Sequence, residues 1–124
     1  MGNFLGKKMQ IKSWNSDEKV LIIAEIGNNH EGDVELAKKM ITSAANCEVD
    51  AVKFQTFKTE YYISSKDKSR FEMIKSFELS YNQFEELREY ANSLGLLFIS
   101  TPFDIDSGKF IGKIADAIKI SSSD

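Results

Sequence analysis

Residues 51–57 read AVKFQTF, and this stretch decides the fold. It is short, rich in β-branched and aromatic residues, and reads as a strand. Side chains alternate across a strand, so Val52, Phe54 and Thr56 share one face while Lys53 and Gln55 share the other. A lysine buried in an open sheet covered on both sides is costly. In a barrel the same lysine points into the axis, toward the mouth where the C-terminal ends of the strands gather.

Working outward, the same pattern recurs. Residues 20–27 read VLIIAEIG, an apolar run ending in glycine, in which Ile22, Ala24 and Ile26 oppose Ile23 and Glu25. Residues 96–101 read LLFIST and residues 117–121 read AIKIS, in which Ile118 and Ile120 oppose Lys119 and Ser121. Helical signals fall between these runs. Asp33 is an N-cap for a helix whose core face is Ala37, Met40, Ile41, Ala44 and Ala45. Ser80 and Gln83 form a capping box, flanked by Leu79 and Phe84 at the positions of a hydrophobic staple. That helix runs to Gly95, a good residue just past a helix end. Asp104 caps a helix with a core face of Phe110, Ile111 and Ile114. The spacing also predicts a short helix over residues 71–77, and a long polar loop over residues 58–70 in which Lys66, Lys68 and Arg70 are solvated. No internal repeat is evident.

Strands alternating with helices predict βαβ units and a parallel sheet. The predicted fold class is α/β, the N-terminal half of a TIM (β/α)8 barrel. A complete barrel takes about 250 residues, and the chain has 124. Residues 1–19 are expected to form an N-terminal arm with a small hairpin over Met9 to Asn15. Residues 20–124 are expected to supply the first four barrel strands.

Composition bounds the function. The chain is 42% hydrophobic and 28% charged, with a formal net charge of −3. These values suit a globular domain and argue against a nucleic-acid or anionic-membrane surface. The single cysteine, Cys47, allows no internal disulfide, and a reducing, cytoplasmic compartment is expected. No apolar run approaches a membrane span. Residues 1–14 lack the features of a signal peptide, and Gly6 stands where a myristoylation motif wants Ser or Thr.

The informative exceptions are Glu25, Lys53 and Lys119. Two readings stand side by side: a buried ion-pair cluster without a ligand, or an anion-binding site at the barrel mouth. Three separate strands carrying charges at similar heights favour the second. Gln55 belongs to the same polar face. The loop Asn28-Asn29-His30-Glu31-Gly32 reads as a turn, with Asn29 or His30 serving as a substrate contact or as support for Glu25. No HExxH, CxxC, P-loop or GxGxxG pattern is present, so neither a metal site within this chain nor nucleotide binding is expected.

Five strings carry a resemblance: IAEIGNNHEGD (23–33), DAVKFQTFK (50–58), ELSYNQFEEL (78–87), FISTPFD (98–104) and IKISSSD (118–124). In order and spacing they are similar to the N-acetylneuraminate (sialic acid) synthase family. The resemblance implies a TIM barrel followed by an antifreeze-like domain, in a homodimer. It implies condensation of phosphoenolpyruvate with the open-chain aldehyde of an N-acyl sugar, N-acetylmannosamine or a relative, releasing phosphate. It also implies a divalent metal, manganese or magnesium, whose histidine ligands lie outside this chain. Glu25 then resembles the carboxylate that orients or deprotonates the attacking water. Lys53 and Lys119 resemble the lysines that hold phosphoenolpyruvate, with Thr101 and Ser122 as hydroxyl donors to it. Gln55 resembles a contact to the sugar, Asp124 stands where many members carry a sugar-facing glutamate, and Asn29 is a further candidate. Glu48 stands where members usually have a glycine. Half a barrel is expected to be inactive alone, and a non-catalytic fragment is the alternative. Another phosphoenolpyruvate-condensing barrel synthase of keto-sugar acids is disfavoured by the 23–33 string.

Overall fold

Two short strands, β1 (Gln10–Ile11) and β2 (Trp14–Asn15), pair antiparallel ahead of the main sheet. The chain then alternates: β3 (Ile23–Gly27), α1 (Val34–Asn46), β4 (Ala51–Thr56), α2 (Thr59–Tyr62), α3 (Lys68–Phe77), α4 (Tyr81–Ser93), β5 (Leu97–Pro102), α5 (Ile105–Ile114) and β6 (Ala117–Ile118). This is a computed structural model, and it describes residues 6–124. Residues 1–5 of the expected arm, including most of the myristoylation pattern, lie outside the described residues.

The four main strands are parallel and neighbour one another in chain order, β3-β4-β5-β6. A doubly wound sheet reverses its strand order at a switch point; this one does not. One face carries Ile26, Val52, Phe54 and Phe98, which join Ala37, Ile41 and Ala44 of α1, Phe84, Leu87 and Ala91 of α4 and Ile111 of α5 in a single core. Phe54 is its centre, stacked on Phe98 at 5.5 Å and edge-on to Phe84 at 6.5 Å. Sequential strand order with the helices packed on one face is the N-terminal half of a (β/α)8 barrel.

The caps are where the sequence puts them. The Asp33 carboxylate accepts from Glu35 N and Leu36 N. Ser80 and Gln83 exchange both hydrogen bonds of the capping box, with Leu79 and Phe84 buried beside them. Asp104 accepts from Ser107 N at 2.8 Å and also from Lys58 N at 2.8 Å, which ties the end of β4 to the start of α5. Glu48, following α1, takes a left-handed φ of +59°, the conformation that a glycine holds without strain.

Three expectations are corrected. Residues 58–70 are not one loop: α2 occupies Thr59–Tyr62, and α3 already begins at Lys68, so Lys68 and Arg70 stand in its first turn. The buried Thr59 explains α2, because its N–H and its hydroxyl both donate to Glu78 Oε1, at 2.7 and 2.8 Å. This partner lies at the far end of α3, beyond the reach of a local pattern. The first main strand begins at Ile23 rather than Val20, which is exposed, and the fourth spans only Ala117–Ile118 rather than reaching Ser121. Both are outer strands, and their terminal residues have pairing partners on one side alone.

A short repeat also emerges that the sequence reading passed over. Asp50-Ala51-Val52-Lys53 and Asp116-Ala117-Ile118-Lys119 are equivalent units at the base of β4 and β6. Asp50 Oδ2 accepts from Ile22 N at 2.9 Å, and Asp116 Oδ2 accepts from Phe98 N at 2.8 Å. Each aspartate thus closes the start of its strand onto the preceding one, and each lysine follows three residues later. Lys19 pairs with Asp50 and, together with the Ile22 N–H, holds its carboxyl below the usual carboxylate range.

Candidate active site at the C-terminal ends of the strands

The site face is the one without helices. Registers place Glu25 beside Lys53, Lys53 beside Ile99 and Ile99 beside Ala117, in one layer across the sheet. One layer nearer the C-terminal ends, Gln55 stands beside Thr101. The Lys119 N–H donates to Ser100 O at 3.1 Å, which carries the parallel pattern one residue past Ile118. Lys119 is thereby set level with Thr101. Lys53 and Lys119 are equivalent positions of the repeat on alternate strands, and by register Lys119 stands one layer nearer the C-terminal ends than Lys53.

Lys53 Nζ lies 2.6 Å from Glu25 Oε2 and 3.4 Å from Thr101 Oγ1. The Lys53 side chain is 19% exposed and that of Glu25 is 48% exposed. An ammonium carries three N–H donors. With one spent on Glu25 and a long one on Thr101, Lys53 keeps donor capacity for an incoming anion.

Glu25 is aimed by its backbone. The β3–β4 register slips between Glu25 and Gly27, a bulge that bends the strand end. Gly27 follows with φ +57°, and a Cβ there would sit 3.1 Å from Glu25 Oε1. Gln55 accepts at Oε1 from Asn28 Nδ2 at 2.7 Å. The turn is closed by Asn29, whose Nδ2 donates to Ile26 O at 2.9 Å and whose side chain is exposed. His30 is 1% exposed, tilted against Phe54, and accepts at Nδ1 from Gly32 N at 3.0 Å. Burial lowers its pKa and the charge of Asp33 opposes that shift, so the neutral ring is favoured. His30 therefore braces the turn and stays out of reach of a ligand.

Glu25, Lys53, Gln55 and Thr101 are brought together. Lys119, Ser122 and Asp124 are placed at the same end of the sheet but are exposed. Lys119 Nζ donates to the Ile120 carbonyl, and no described hydrogen bond joins these three to the Lys53 group. Asn28 was missed by the sequence reading, which weighed Asn29 instead. Alternation shows that Gln55 faces inward but carries no information on what its amide meets.

Comparison with known proteins bears on the family and the fold. Residues 40–124 match the NeuB family. The chain is 44% identical over 108 residues to an uncharacterized protein of Methanocaldococcus jannaschii, covering 86% of this chain and 32% of that protein. It is 40% identical over 114 residues to the N,N'-diacetyllegionaminic acid synthase of Legionella pneumophila, covering 82% of this chain and 32% of the relative. The crystal structure of N-acetylneuraminic acid synthetase from Leptospira borgpetersenii, in complex with citrate, superposes with a TM-score of 0.88 at 31% identity. That match covers 95% of this chain and 42% of the other. A DAHP synthase of Thermotoga maritima shares the fold alone, at 15% identity and a TM-score of 0.66. The chain spans about a third of the length of the curated relatives it matches. Ordered motifs, strand order and the match over residues 40–124 converge: the chain belongs to the NeuB family.

Proposed function

We propose that this chain supplies the phosphoenolpyruvate-binding and acceptor-facing part of a synthase that makes a sialic-acid-type nonulosonate. The observation that carries the reading is Lys53, with spare donor capacity, set 2.6 Å from Glu25 and 3.4 Å from Thr101 at the C-terminal ends of parallel strands. Relatives named as synthases of N,N'-diacetyllegionaminic acid, pseudaminic acid and N-acetylneuraminate 9-phosphate support the class.

In this reading Lys53 and Lys119 hold the carboxylate and phosphate of phosphoenolpyruvate, and Thr101 and Ser122 donate hydroxyl hydrogens to it. C3 of phosphoenolpyruvate forms the new bond to the aldehyde carbon of an N-acyl sugar such as N-acetylmannosamine, whose oxygen takes a proton. Water adds to C2, losing its proton toward Glu25, and the C2–O bond breaks to release phosphate. Donors fixed in advance at developing charge lower the barrier without reorganising at the moment of reaction. Gln55 and Asp124 face the sugar, and Asn29, exposed in the turn after β3, is a further substrate contact. Among the described residues no three His, Cys, Asp or Glu side chains converge on one point. A manganese or magnesium ion is proposed to take its ligands elsewhere in a complete barrel, and the roles given to Glu25 and Lys53 do not run through it.

A homodimer in the cytoplasm is the setting we propose, in keeping with the single, exposed Cys47. Among the described residues no helix is long and apolar enough to cross a membrane. The chain by itself is proposed to be inactive, because its four parallel strands make half of a barrel. Lys53→Ala tests the reading in a synthase with a complete barrel. Phosphate release from phosphoenolpyruvate and N-acetylmannosamine should fall by about 10²–10³-fold, the usual loss for one charge-stabilising donor. Unchanged release would refute the assignment.

A further inference from the structure

The turn after β3 makes a contact that these roles leave unexplained. Asn28 Nδ2 donates to Gln55 Oε1 at 2.7 Å, while Asn28 Oδ1 is buried without a hydrogen-bond partner. Buried amide oxygens are nearly always paired. A bond between two amides can run in either of two directions, and each direction turns a different atom of the second amide to its surroundings.

Glu25 and the Gln55 amide nitrogen approach the same glycine: a Cβ on Gly27 would lie 3.1 Å from Glu25 Oε1 and 3.7 Å from Gln55 Nε2. An amide NH2 is attracted to a carboxylate, whereas an amide oxygen is repelled by it. Reversing both amides would turn Gln55 Oε1 toward Glu25. It would also take from the Asn28 NH2 the one acceptor it now has. The arrangement present is the better of the two.

We infer that Asn28 is a positioning residue that clamps Gln55 by its carbonyl oxygen, so that Gln55 meets the acceptor sugar only as a hydrogen-bond donor. The inference rests on the reading of Gln55 as sugar-facing and deepens it. The atom selected at that point is an oxygen acceptor, either a sugar hydroxyl lone pair or the carbonyl of the N-acyl group. A group at that place that can only donate is rejected. Sites built around one hydrogen bond discriminate strongly, because the unmatched partner is left unpaired. Holding Gln55 in advance also spares the rotamer freedom it would otherwise lose on binding.

Asn28→Asp reverses the clamp. A carboxylate only accepts, so it draws the Gln55 NH2 onto itself and turns the Gln55 oxygen to the site. In a synthase with a complete barrel, selective ¹⁵N labelling of glutamine and asparagine side chains makes these amides visible by NMR, with the Gln55 NH2 assigned by its loss in Gln55→Glu. N-acetylmannosamine and phosphoenolpyruvate are titrated separately. In the unaltered chain the sugar should shift the Gln55 NH2 signals. In Asn28→Asp sugar affinity should fall about tenfold or more, the scale of one lost hydrogen bond. Phosphoenolpyruvate affinity is read in Asn28→Ala, which adds no charge, and should stay within about twofold, because Lys53 and Thr101 are untouched. Asn28→Ala, which removes the clamp without reversing it, should fall between the two and stands in if Asn28→Asp loses its dispersed spectrum. Unchanged sugar affinity, or an equal loss for both ligands, overturns the inference. If the sugar leaves the Gln55 signals unmoved while phosphoenolpyruvate binds, the sugar-facing reading of Gln55 fails. The clamp is then judged by solvent exchange of the Asn28 NH2, which a formed clamp slows and whose unprotected exchange refutes it.

Discussion

Gly32 and Gly95 have nearly the same backbone and opposite surroundings, which makes them a matched pair for one experiment. Gly32 has φ +83° and Gly95 has φ +78°. A Cβ at Gly95 would meet nothing within 4 Å, whereas one at Gly32 would lie 2.2 Å from the Ser76 backbone oxygen at the end of α3. Alanine at either position adopts a left-handed conformation at about 1–2 kcal/mol. At Gly95 that is the whole cost. At Gly32 the ordinary contact distance is more than 1 Å longer than the space available, and the obstacle is main chain. Overpacking of this kind adds about 1–3 kcal/mol. Gly32→Ala should therefore destabilise by about 2–5 kcal/mol and Gly95→Ala by about 1–2. Urea unfolding followed by far-UV circular dichroism reads the difference. With a slope of about 1–3 kcal/mol/M for a small protein, the two midpoints should separate by about 1 M. Equal midpoints would mean that the turn after β3 moves freely off α3, and the rigid placement of Asn28 and Glu25 would lose its physical basis.

Glu48→Gly should stabilise the chain by about 1 kcal/mol, because Glu48 holds φ +59° at the end of α1 where glycine carries no strain; a lower thermal midpoint for the variant would contradict this. His30 makes stability depend on pH. Its folded pKa lies below the ordinary histidine value of 6.5 because the ring is buried. The unfolded chain then binds the proton more readily, so the stabilising contribution is complete above about pH 6.5 and is lost as the pH falls toward the folded pKa. Urea midpoints between pH 8 and 5 should decline for the unaltered chain and decline less for His30→Gln, and parallel curves would refute the assignment of that dependence to His30.

Much of the fold was legible before any coordinates. Hydrophobic runs at strand length, caps at Asp33, Ser80 and Asp104, and the stop at Gly95 are local signals, and they held because they depend on residues a few positions apart. The inward facing of Glu25, Lys53 and Gln55 was legible for the same reason: alternation along a strand is a property of the strand alone, whereas Thr101 entered through the family resemblance. What needed the tertiary structure was every pairing between distant segments. Thr59 is helical because Glu78 takes its N–H and hydroxyl. Glu25 is aimed because a bulge and Gly27 make room for it. Asn28 rather than Asn29 reaches Gln55, since only the turn geometry decides which of two adjacent asparagines faces the sheet. The sequence by itself determined which residues carry the charge and which face of each strand they occupy. The tertiary structure decided their partners, because register and turn direction are set by contacts between segments that no local pattern encodes.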